Sequence, residues 1–238
     1  MDNQLIEIND NLEIIGIVIG LAKNDTVKIL ELSKIVKDSS LSYIQKIPFN
    51  KLAKYMDGIK RVEENIGDGC RLSDKLFGDQ KSKNDNALRL LKYVTEADTE
   101  KKIEYLVNTT RSFLLGRINV GEMFRVFNAI VYTLPEDLHY LTTIIEKEGP
   151  FIGNIQIHAL NRNGLVISAG VYADYDIEKQ KYHISELGYM VDQNSLSMDN
   201  DDRQRWYSAR RSKSIPFEGP EEHEGLTQEQ MENLKNKI

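Results

Sequence analysis

Four histidines, His139, His158, His183 and His223, are the side chains best suited to hold a metal or move a proton near neutral pH, but none stands at metal-ligand spacing from another. His158 and His183 can meet only if the strand that carries His183 returns beside the helix that carries His158. The single cysteine, Cys70, excludes an internal disulfide and suits a reducing compartment; no base stands at a recognisable spacing to activate it as a nucleophile. Gly67-Asp68-Gly69 is too short to cradle a phosphate and lacks the Gly-Lys-Ser/Thr ending of a phosphate loop. Asp199-Asn200-Asp201-Asp202 gathers carboxylates but lacks the glycine and terminal glutamate of a calcium loop. These residues predict a chain that is not an enzyme and uses no cofactor or metal.

A second chemistry is the gripping of a nucleic acid. Arg203, Arg205, Arg210, Arg211 and Lys213 surround Trp206 and Tyr207, and basic residues interleaved with aromatics can hold a phosphate chain while stacking a base. The same pattern has a purely structural explanation: Asp199, Asp201 and Asp202 favour the positive start of a helix and the arginines its negative end. Further upstream, Asn154, His158, Asn161 and Arg162 are predicted to face outward from one helix, where Asn and Arg can read base edges. Charge opposes this use. The chain carries a net charge of -6, and residues 135–197 hold nine acids against four bases, whereas phosphate neutralisation supplies most DNA affinity. A protein partner is therefore expected first and duplex DNA second, with self-association a further option.

Elements must position these residues. With 40% hydrophobic residues the composition is that of a globular chain. The longest apolar run, residues 14–22, is less than half of the ~20 residues a spanning helix needs, so it reads as core, with shallow membrane contact as the alternative. The start Met1-Asp2-Asn3-Gln4 lacks a basic signal-peptide region, and a cytoplasmic location is expected. Asn24-Asp25-Thr26 resembles a helix cap before a helical stretch over 27–36, and Pro48 reads as punctuation. Leu52, Tyr55, Met56, Ile59 and Val62 then share a helical stripe.

The middle of the chain is the most regular. Residues 67–86 are rich in Gly, Asp, Ser and Lys and read as a polar linker, mobile over 78–86. Helices follow over 87–96 and from Thr99 as N-cap to a left-handed Gly116. Another starts from Asn119 with Glu122, and a fourth from Pro135 to near Gly149. Beyond Pro150 the pattern becomes a helix over 152–163, a strand at 165–167, a hairpin tip after 170–175, a return strand at 182–184 and a helix capped by Ser185. The acidic stretch 216–225 reads as extended, and 227–237 as a short helix capped by Thr227. The implied segments are 1–66, 67–86, 87–149, 150–198 and 199–238.

Ala159-Leu160-Asn161-Arg162-Asn163-Gly164-Leu165-Val166 followed by Tyr182-His183-Ile184-Ser185-Glu186-Leu187-Gly188 resembles the recognition helix, wing and closing helix of winged-helix domains. That resemblance implies a DNA-binding transcriptional regulator, though no clear helix lies between Ile145 and Phe151 to complete a helix-turn-helix. The runs 101–111 and 136–141, with Arg205-Trp206-Tyr207 after an Asp-rich stretch, resemble a phage- and prophage-type protein family of low-GC Gram-positive bacteria. This implies an accessory role on a mobile element, with host–phage conflict as one setting. The expected fold class is mainly α, an N-terminal helical bundle followed by a winged-helix-like α+β module.

Overall fold

The computed structural model describes residues 43–67, 70–77, 82–147, 149–169 and 180–212. The apolar run 14–22, the helix expected over 27–36, the hairpin tip and the stretches 216–225 and 227–237 lie outside the described residues. The chain is mainly helical, with one small three-stranded antiparallel sheet. The described residues up to 200 form one compact unit and those from 201 to 212 belong to a second.

Helix α1 (Tyr43–Ile66) runs through Pro48, where a break was expected. A proline in the second turn costs one hydrogen bond and a steric clash, about 3 kcal/mol. Burial of Leu52, Tyr55, Met56 and Ile59 just downstream offsets it at roughly 1.5–3 kcal/mol per large side chain. The supposed linker is partly ordered: α2 (Leu72–Phe77) buries Leu72, Leu76 and Phe77, and α3 (Lys83–Glu96) starts four residues before the predicted helix. The Glu63 carboxylate accepts the Leu72 N–H at 2.7 Å, and the Asn86 amide donates to the Leu76 carbonyl at 2.9 Å. A polar composition thus concealed one short amphipathic helix, because six residues are too few to show a period.

The next three helices begin where their caps predict. In α4 (Glu100–Leu114) the Thr99 side chain accepts the Lys102 N–H. The helix ends on Gly116 at φ +72°, with Gly116 N–H donating to Phe113 O and Arg117 N–H to Ser112 O, a Schellman pair. In α5 (Val120–Tyr132) Asn119 and Glu122 cap each other's backbone N–H. Pro135 opens α6 (Pro135–Ile144), which tightens into a 3-10 turn over Ile145–Lys147. Helix α4 packs on α1 and α5, and Gly58 makes the first contact close: a Cβ there would stand 2.7 Å from a Val107 methyl. Tyr93, Phe124 and Phe127 meet at ring-centroid separations of 6.0–6.1 Å in the core.

The sheet follows. Strands β1 (Phe151–Ile152), β2 (Val166–Ser168) and β3 (Lys181–Ile184) pair in the order β1-β3-β2, with α7 (Ile155–Arg162) between the first two. The helix expected from Ile152 begins only at Ile155, because the Asn154 side chain caps it through the Ile157 N–H and Phe151–Ile152 pair with Tyr182 and Lys181. Ser185 caps α8 (Glu186–Val191), which widens into a π-helical turn over Asp192–Leu196. Within α8, a Cβ on Gly188 would strike the Leu165 carbonyl oxygen, so only glycine lets this helix lie on the chain entering β2. The last described helix is α9 (Asp201–Ser212), in the second unit.

Candidate interaction surface

The residues expected on one outward face of α7 divide. Asn161 and Arg162 are exposed at its end. Asn154 is exposed but committed to the cap, and its amide also donates to the Tyr140 hydroxyl at 3.0 Å. His158 turns inward instead: it is half-buried, its ring edge-on to Tyr182 at 5.5 Å, with Nδ1 3.2 Å from the Tyr182 hydroxyl. That hydroxyl donates to Gln180 Oε1 at 3.0 Å, which leaves His158 Nδ1 as the donor. Gly153 permits the arrangement, since a Cβ there would stand 3.0 Å from His158 Nε2. His158 and His183 do not come together, because Tyr182 occupies the inner face of the sheet and His183 the outer.

The basic, aromatic stretch divides as well. On α9, Arg203 and Tyr207 are buried one turn apart, and Trp206 lies edge-on to Tyr207 at 4.8 Å. Arg205 is exposed, with Nη1 3.4 Å from Asp202 Oδ1. Arg210 and Arg211 continue the helical backbone; their side chains, and Lys213 altogether, lie outside the described residues. Among the described side chains, then, a single arginine of this cluster faces solvent, and the two aromatic rings pack on each other.

The outer face of the sheet was not anticipated. Cross-strand partners share a face, and the pairs Ile152–Lys181 and Ile167–His183 place four side chains together, alternating with the buried Tyr182 and Ile184. All four are exposed, Ile152 at 67% and Ile167 at 54%; Ile155, the first residue of α7, stands 85% exposed three residues past Ile152. Neither Lys181 nor His183 makes an ion pair with any described residue. The alternation Lys-Tyr-His-Ile in β3 announces a sheet with one wet face, and isoleucines on the neighbouring strands of that face break the rule. Sequence reasoning missed them because Ile152 was placed in a helix and Ile167 in a strand whose two faces were not assigned. Exposed apolar side chains gathered around a lysine and a histidine recognise another chain better than they serve chemistry.

Among the described residues no group of three or more His, Cys, Asp or Glu stands where it could hold a metal ion. No described helix is long and apolar enough to cross a membrane. No protein-family model matches the chain, and neither a curated protein nor a solved structure matches it.

Proposed function

We propose that this chain is a non-catalytic interaction protein whose outer sheet face binds a protein partner. The exposed isoleucines beside Lys181 and His183 carry the proposal, because burying Ile152, Ile155 and Ile167 on a partner regains the hydrophobic free energy their exposure forgoes. The acidic balance of residues 135–197 supports a protein partner over DNA. An accessory role on a phage or other mobile element, in the cytoplasm, fits the sequence resemblance. Affinity capture from host cells tests it: a partner should be retained by the wild-type chain and lost by Ile152→Asp with Ile167→Asp. Equal capture by both chains would remove the sheet face from the proposal.

The second reading is a winged-helix-like DNA-binding regulator. The strand order β1-β3-β2 with α7 leading into β2 supports it, as do exposed Asn161 and Arg162. Peripheral membrane association rests on residues 14–22 alone. Titrating labelled duplex DNA at 50 and 200 mM salt, in the wild type and in Arg162→Ala with Arg210→Ala and Arg211→Ala, separates the first two readings. A complex that weakens steeply with salt and vanishes in the triple variant would favour the regulator.

A further inference from the structure

We propose that the outer sheet face receives a short linear segment of a partner protein, in which an acidic residue lies between two apolar ones. This rests on the interaction reading above and specifies its ligand. Neighbouring strands lie about 4.8 Å apart and Ile152 and Ile167 face Lys181 and His183, about 7 Å apart on β3, so the two isoleucines stand about 12 Å apart on the diagonal across β3. Four side chains on strands of two, three and four residues fall well short of the ~800 Å² per partner of a stable interface between folded surfaces. A single segment, of one chain's width, matches the span.

Charge selects the segment's character. Lys181 and His183 meet no described carboxylate, so covering them with an apolar strip would strand a buried cation, whereas an Asp or Glu would pair it. A second copy docked face to face would bring a second Lys181 to the same patch and supply no carboxylate from this face to pair either one.

Selection of random 15-residue displayed peptides on the full chain, with counter-selection on Ile152→Asp plus Ile167→Asp, tests the inference. The enriched pool should carry Asp or Glu flanked by apolar residues. An enriched peptide, labelled and followed by fluorescence polarisation, should bind about tenfold more weakly to Ile167→Asp and to Lys181→Glu. Replacing its acid by Lys should restore binding to Lys181→Glu. Circular dichroism checks the fold of each variant, and Ile152→Ser with Ile167→Ser replaces the aspartates if they disturb it. No enriched peptide, a pool without acids, or binding indifferent to Lys181→Glu overturns the inference. A captured protein lost on the isoleucine substitutions while no peptide binds would overturn this inference and leave the interaction reading standing.

Discussion

The helical region of residues 43–147 and the sheet-bearing region of residues 149–200 are held by different forces. Leu90, Leu106, Phe124 and Phe127 bury themselves almost completely in the first, alongside polar groups satisfied inside it, such as Lys102, whose Nζ donates to Val131 O at 2.9 Å. The second meets α4 along a polar seam. Thr109 donates to Tyr105 O, so the Ser195 hydroxyl donates to Thr109 Oγ1 at 2.6 Å; Asn108 donates to Ser195 O at 3.1 Å, and Ser112 to Asn194 O at 3.3 Å. Arg111 pairs with Asp199 at 2.8 Å on the exposed rim. Burial is tolerant of direction, whereas hydrogen bonds are not. The helical region therefore resists small changes of shape, while the sheet region depends on a few donors and acceptors staying in register.

Substitution can break that contrast. Phe127→Ala should cost about 3–5 kcal/mol, read as a lower urea midpoint, because it removes a buried ring from the aromatic cluster. Gly188→Ala should be nearly as severe, since its clash is with backbone, and should reach the sheet first: hydrogen exchange of β2 and β3 should quicken before that of α4. Uniform quickening would merge the two regions into one cooperative block. Thr109→Val should cost about 1–3 kcal/mol by leaving the Ser195 hydroxyl without an acceptor. Adding Ser195→Ala should recover much of that loss, and a strictly additive pair would mean that the seam is not held by this bond.

The smallest expected effect is electrostatic. Burial raises the Glu63 carboxyl above its ordinary range, more than the Leu72 N–H lowers it, although solvent still reaches it. A carboxyl raised in the folded state binds its proton more tightly there than in the unfolded chain. Its relative contribution is therefore greatest below the unfolded pKa and declines as pH rises through the folded one. The wild type should lose stability relative to Glu63→Gln between about pH 4 and pH 7, by a modest amount because the site is partly solvated. A flat difference across that range would show Glu63 to be indifferent to folding.

Local signals made most of the helices legible. Thr99, Gly116, Asn119 with Glu122, Pro135 and Ser185 each mark a boundary through a bond or dihedral within four residues, so no partner is needed to read them. Failures came where distant burial overrode the local preference, as at Pro48, or where an element was too short to show its period, as in α2 and β1. Of the candidate surface, the alternation of β3 was readable, but its isoleucine neighbours were not.

By itself, then, the sequence determined where the helices begin and end and that the chain carries more acid than base, because caps, glycines and charges act at short range. Only the tertiary structure decided that His158 turns inward and that Ile152 and Ile167 share a wet face with Lys181 and His183. Those outcomes depend on strand register and helix packing, in which residues far apart in the chain must choose the same side.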